Sequence, residues 1–249
     1  MKRSSLKKRI NLRMVLGEIT GRRCYRCFRP IKTCYCKWIQ PIDPQVKFVF
    51  LMHPKEAYRQ RTGTGRLAHL SLLHSELIVG INFTDHPAVN AYINDPLYYS
   101  MVLYPGTNSL TSDSAQLQKR LSAHPAKKLL VFIIDATWIL AKKMMRQSHN
   151  LQKLPMLSFS HSYYSRFVIK SQPGSFCLST IESVYYLIKE LQEGSLIKRK
   201  VDPEGLMDVF QKMINFQIEC TRDPEKISYR IGKTKKRIHS KKRNFIFHL

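Results

Sequence analysis

At 249 residues with 43% hydrophobic side chains, the chain is long enough for one large domain with small appendages and too apolar to be disordered throughout. A formal net charge of +25, from 42 Lys and Arg against 17 Asp and Glu, far exceeds what solubility requires and points to a polyanionic partner, nucleic acid ahead of anionic lipid. No apolar run approaches the ~20 residues of a membrane span, and the basic start lacks the apolar core of a signal peptide, so a soluble cytoplasmic protein with no membrane partner is expected.

Residues 1–20 form a basic arm, read as phosphate-contacting or as a solvated tail. Residues 21–44 then concentrate four of the six cysteines, Cys24, Cys27, Cys34 and Cys36, in a C-x2-C-x6-C-x-C pattern. Each close pair supplies one edge of a tetrahedral thiolate site, and the loop around Pro30 lets the chain fold back to join the edges. Zn2+ is favoured over an iron–sulfur cluster or a redox role. With all four positions taken by protein, the zinc would be structural. Arg22, Arg23, Arg26, Arg29 and Lys32 decorate the same loop and make it a charged knuckle suited to an RNA backbone. Cys177 and Cys220 stand apart and read as buried spectators.

Residues 45–221 read as an α/β domain. Short apolar runs at 46–52, 98–104 and 129–135 predict buried parallel strands, and a further strand is predicted at 165–170. Between and after them, helix-compatible stretches fall at 65–77, 112–124 and 137–150, followed by two longer ones at STIESVYYLIKELQEG and PEGLMDVFQKMINFQIECTR. Alternation of this kind predicts helices on both faces of the sheet. Residues 222–249 are a second basic tail.

Ligands of open α/β sheets collect where strands end, so the residues just past each run carry the information. These are HPKE (53–56), LYPG (103–106) and DATW (135–138), with LSTIES (178–183) further on. Each also has a local explanation. Asp135 or Thr137 can cap a helix, Trp138 can be core, and Ser179 with Glu182 fits a capping box. Neither G-x-G-x-x-G nor a P-loop is present.

The ordered set CYRCFRPIKTCYC, HPKE, LYPG, DATW and LSTIES resembles the DTW-domain family over roughly residues 20–220. That resemblance implies a SPOUT-like knotted domain and transfer of the 3-amino-3-carboxypropyl group of S-adenosylmethionine to N3 of a tRNA uridine, releasing methylthioadenosine. Leu103, Tyr104, Pro105, Gly106, Leu178, Ser179 and Thr180 are then expected to wall the donor. Asp135 is the candidate general base, since burial at a strand end raises a carboxyl pKa toward the working range. Thr137 is expected to hydrogen-bond a ligand and Trp138 to stack on the flipped uracil or lie beneath the donor. Glu182 is expected to hold the donor's ammonium or to replace Asp135 as base.

Arg61, Arg66 and Arg166 are candidates for tRNA phosphate or the donor's carboxylate, beside the plain alternative of surface charge. Lys170 stands where family members often carry a second Arg, which weakens a bidentate clamp there. Two rivals remain: a methyltransferase using the same donor, and a non-catalytic zinc-containing RNA-binding protein. tRNA is the expected partner, and no obligate protein partner is expected.

Overall fold

Strands bury both faces when helices cover both, so their sequences are continuously apolar, and the 46–52 and 129–135 runs have that character. In the computed structural model, which describes residues 23–60, 62–170, 174 and 176–222, they become adjacent interior strands of the sheet. Both basic ends, with Arg22 and Arg61, lie outside the described residues.

Two short 3₁₀ turns, Ile31–Thr33 and Cys36–Trp38, lie in the cysteine knuckle. The chain continues through β1 (Lys47–Met52), α1 (Pro54–Arg59), α2 (Thr64–Leu70), β2 (Glu76–Val79), α3 (Pro87–Asn94), β3 (Tyr98–Leu103) and β4 (Leu110–Thr111). It then forms α4 (Ala115–Ser122), β5 (Lys128–Asp135), α5 (Trp138–Gln147), α6 (His149–Gln152), β6 (Met156–Ser158), α7 (Thr180–Glu193) and α8 (Glu204–Arg222). The six strands pair in the order β2-β1-β5-β3-β6-β4, each neighbour parallel.

Alternate residues of β1 and β5 enter separate cores. Phe48, Phe50, Val131 and Ile133 pack with α2, α7 and α8, while Val49, Leu51, Leu130 and Phe132 pack with α3 and α5. Each such side chain contributes about 1.5–3 kcal/mol on burial, which makes this pair of strands the mechanical centre of the domain. The expected helices on both faces are therefore present.

Two expectations are corrected. The helix expected over 65–77 stops at Leu70, and Glu76–Val79 is instead strand β2, paired with residues 49–52. Serines end the helix: Ser71 Oγ donates to Leu67 O at 2.9 Å, and Ser75 Oγ donates to His69 O at 2.9 Å and to Leu72 O. His74 between them takes the left-handed conformation, φ 58°, that reverses the chain.

The strand expected at 165–170 does not form, and β6 at Met156–Ser158 takes the place in the sheet. The backbone donors of this segment are satisfied otherwise. Arg166 N donates to Glu182 Oε1 at 2.6 Å, Phe167 N to Ser165 Oγ, and Lys170 N to Phe167 O. Further up α7, the buried Glu190 accepts Ser160 N, His161 N and the Tyr163 hydroxyl, and Ser112 Oγ as well. Two acids on one helix thus pin the β6–α7 connection over the sheet, which a reading of apolar runs misses because the anchor is polar and distant in sequence.

Candidate active site

The chain leaving β5 turns into α5 on the face of the second core, whereas α2 after β1 and α4 after β3 pack on the first. Neighbouring strands that send their connections to opposite faces open a crevice at their carboxyl ends. Asp135 is the last residue of β5 and pairs with Met52, the last of β1. His53 follows, donating its backbone N–H to Asp135 O at 3.0 Å and capping α1 through Nδ1, which accepts Lys55 N.

Asp135 is 4% exposed. Oδ1 accepts the Thr180 hydroxyl at 2.6 Å, and Oδ2 is buried without a hydrogen-bond partner. Burial raises its pKa to about 6; the Thr180 hydrogen bond, Lys170 and Arg66 act against the rise, and nearby Glu56 adds to it. The room for Oδ2 comes from Gly65 in α2, where a Cβ would sit 2.0 Å from that oxygen. Only glycine permits this approach of helix to carboxyl group.

Around this acid the structure gathers residues from four segments. Glu56, buried in α1, has its own pKa raised by burial, and Lys170 moderates the rise. Arg66 follows Gly65, and its guanidinium lies 4.2 Å over the Phe28 ring of the knuckle. Glu56 was marked by the sequence only within HPKE and without a role, and Phe28 was not a site candidate. The position of Glu56 just past a strand, in HPKE, was the signal available for it.

Leu103 ends β3 opposite Ile133, Tyr104 N donates to Leu157 O, and Pro105 and Gly106 are exposed in the loop beyond, so LYPG opens beside the crevice. Thr137 is the exposed N-cap of α5, its hydroxyl not used in capping, and Trp138 begins that helix half-buried. Leu178 is half-buried just before the N-cap of α7, Ser179, and Thr180 turns to Asp135.

Glu182 is 0% exposed and fully engaged. Its carboxyl oxygens accept Ser165 Oγ at 2.8 Å, Arg166 N at 2.6 Å, Ser179 N at 2.8 Å and Ser179 Oγ at 2.6 Å. It closes the capping box and anchors the β6–α7 connection. Glu182→Gln sets an amide NH2 against these donors and is expected to lower stability by about 1–3 kcal/mol, read as a drop in melting temperature. An unchanged melt would remove the anchoring role.

In the knuckle, Cys24 Sγ and Cys36 Sγ are 3.8 Å apart, Cys27 Sγ and Cys34 Sγ 3.6 Å, and all four sulfurs lie within 4.8 Å of one another. These separations exceed a disulfide bond of about 2.05 Å and suit four ligands around a metal ion. Burial opposes the Cys24 thiolate, but the Cys27 and Arg26 backbone N–H groups, together with the Cys34 and Cys27 thiols, outweigh it and hold the pKa to about 7. Arg29 turns inward, over the Tyr35 ring at 4.1 Å, with Nε donating to Thr33 O. Tyr35 in turn meets Phe216 of α8 edge-on, which docks the knuckle on the domain. Arg23 is exposed and donates to Phe28 O; Arg26 and Arg166 are exposed. No described helix is long and apolar enough to cross a membrane.

Comparison with known proteins finds relatives of modest identity. Mouse tRNA-uridine aminocarboxypropyltransferase 2 is 26% identical over 200 residues, covering 79% of this chain and 63% of the relative. The Drosophila melanogaster protein of the same name is 26% identical over 178 residues, 68% of this chain and 66% of its own length. Arabidopsis thaliana tRNA-uridine aminocarboxypropyltransferase A is 26% identical over 223 residues, 78% of this chain and 80% of its own. The chain thus spans 63% of the mouse relative's length. No solved structure matches. The DTW domain model matches residues 21–218, from the cysteine knuckle into α8, and on that extent the chain belongs to the DTW domain family.

Proposed function

We propose that the protein transfers the 3-amino-3-carboxypropyl group of S-adenosylmethionine to N3 of a uridine in tRNA. The observation that carries this is Asp135 in a DTW domain, a buried carboxyl group at the sheet's crevice with one oxygen lacking a partner. Uridine N3 is a poor nucleophile until it loses its proton, and a carboxyl group with a pKa of about 6 can accept that proton near neutrality. The donor's sulfonium supplies an electrophilic carbon. The N3–C bond forms as the C–S bond breaks, the proton passes to Asp135, and methylthioadenosine leaves with the C–S electron pair.

The residues fit such a donor. Its amino-acid arm is zwitterionic, and the groups around Asp135 are one further buried acid, Glu56, and two cations, Arg66 and Lys170. Loops 103–106 and 178–180 open beside the same strand ends and are assigned to the nucleoside, with Thr137 and Trp138 toward the uracil. Lys170 contributes charge without the planar fork of an arginine.

The four cysteines are assigned a structural zinc. A tetrahedral ion with Zn–S near 2.3 Å has sulfur–sulfur edges of about 3.8 Å, against 3.6 and 3.8 Å here. Metal analysis is expected to return about one zinc per chain, and Cys34→Ser to lose it together with thermal stability; a folded, metal-free protein would remove the site. Unbridged thiols accord with a cytoplasmic location. The net charge of +25 accords with tRNA as partner, held by exposed Arg23, Arg26 and Arg166. β5 lies between β1 and β3, and β6 between β3 and β4, an order that accords with a SPOUT-like threaded path.

The test is incubation with unmodified tRNA and S-adenosylmethionine, then nuclease digestion and mass spectrometry of the nucleosides. Aminocarboxypropyl-uridine is expected. A methylated nucleoside would make the protein a methyltransferase, and no product across several tRNAs, despite binding, would make it an RNA-binding protein.

A further inference from the structure

We infer that the cysteine knuckle is a wall of the catalytic pocket, in which Phe28 positions the Arg66 guanidinium to receive the carboxylate of the donor's amino-acid arm. This rests on the function proposed above and adds a role for the knuckle beyond holding RNA.

Phe28 lies between Cys27 and Arg29 in the left-handed conformation, φ 57°, which is rare for an aromatic residue. Such strain persists only where the surroundings over-determine it, and it concentrates at functional sites. Here three hydrogen bonds impose it: Phe28 N to Cys24 O at 2.7 Å, Cys24 N to Arg29 O at 2.6 Å, and Arg23 Nη1 to Phe28 O at 3.1 Å. The residue is nonetheless 48% exposed, so it does not serve as a core residue of the knuckle. Its partner is the half-buried guanidinium of Arg66, 4.2 Å away.

Arg66 is otherwise uncommitted. Its guanidinium makes no hydrogen bond or ion pair among the described residues, although Asp135 and Cys27 both lie close enough for their charges to act on it. A half-buried arginine held by an aromatic face, with its donors unfilled, is prepared for a planar anion. The helix that carries Arg66 approaches Asp135 at Gly65, and the charges of Arg66 and Asp135 act on each other, so an anion on Arg66 would lie in the neighbourhood of the proposed base. The arm's electrophilic carbon must come to the uridine at that place, and the group carried beside that carbon is a carboxylate. A tRNA phosphate is the other anion of matching charge, and the exposed Arg23 and Arg26 are better placed for a bulky backbone.

The experiment is calorimetric titration of the zinc-loaded full chain with S-adenosylmethionine and, separately, with methylthioadenosine, which lacks the amino-acid arm, and with tRNA. Arg66→Ala is expected to weaken the donor about tenfold and Phe28→Leu about threefold, both leaving methylthioadenosine within about twofold of wild type. Phe28→Tyr, which keeps the ring, is expected to bind both as wild type does. Zinc content and melting temperature of each variant separate a disrupted knuckle from a misplaced arginine. Wild-type donor affinity in Phe28→Leu would overturn the inference, as would equal losses for the two ligands. So would a loss confined to tRNA binding, which would assign Arg66 to phosphate. Wild-type protein that binds no S-adenosylmethionine would overturn the proposed function itself, and this inference with it.

Discussion

Asp135→Asn is expected to lower turnover by about 10²–10⁴-fold while leaving donor affinity within a few-fold. The amide is nearly isosteric and still accepts the Thr180 hydroxyl that now bonds Oδ1 at 2.6 Å, but it cannot take a proton from uridine N3. Single-turnover rates, with donor binding measured separately, distinguish a lost base from a lost site. A fully active variant would move the proton transfer to another group. In wild type the rate should climb as pH rises through about 6, because only the ionised carboxylate accepts the proton.

The same shift has a consequence for stability. The pKa of Asp135 is raised in the folded state, from 3.8 to about 6, so its contribution to stability is fully present below the unfolded value and lost as pH rises through the folded one. Asp135→Asn, which cannot ionise, should therefore melt higher than wild type at pH 7.5, by the equivalent of about 2–3 kcal/mol, and near wild type at pH 4. An inactive variant that is more stable is the signature of a desolvated functional acid. A variant with no advantage at pH 7.5 would show that ionising Asp135 costs the fold little.

Gly65→Ala is expected to destabilise by about 1–3 kcal/mol and to remove most activity. Helix propensity alone predicts the reverse, since Ala is better than Gly by about 1 kcal/mol within a helix, so the sign of the effect is the test. The added Cβ would meet Asp135 Oδ2 at 2.0 Å and Cγ at 2.3 Å, so either the start of α2 or the Asp135 side chain must move. Combining Gly65→Ala with Asp135→Ala removes the clash. The double variant should be less destabilised than the two singles added together, and simple additivity would disprove the contact.

The knuckle and the site together show which kinds of information the sequence carries. The metal-ready cluster was legible because its four ligands lie within residues 24–36 at short spacing, and folding had only to close a loop. β1, β3 and β5 were legible because burial on both faces leaves a continuous apolar run, and α7 because its capping box is local. Strands β4 and β6, of two and three residues, carry too few side chains to show a pattern. The strand expected at 165–170 had the right residues, but its backbone donors are taken elsewhere, Arg166 N by Glu182 of α7 and the others by Ser165 Oγ and by carbonyls of the segment itself.

Asp135 was a candidate from the sequence because it ends an apolar run and opens DATW, and strand ends are where α/β sheets place chemistry. Its surroundings came from elsewhere in the chain: Gly65 opens space for Oδ2, Thr180 holds Oδ1, and Glu56, Lys170 and Arg66 set its charge environment. Glu182 carries the same carboxyl group and lies in an equally suggestive motif. Its oxygens accept four hydrogen bonds; the two from Ser179 follow from the local capping box, but those from Ser165 and Arg166 come from a segment that the sequence pattern does not join to it.

By itself the sequence determined the class of fold, the cysteine cluster, the basic surface and the short set of residues from which a site could be built, because each depends on neighbours within a few positions or on composition. Tertiary structure alone decided which acid keeps an unfilled oxygen, which arginine stands beside it, and that the knuckle's Phe28 meets that arginine. These depend on long-range contacts, and a buried group's desolvation and charge partners exist only once distant segments have packed around it.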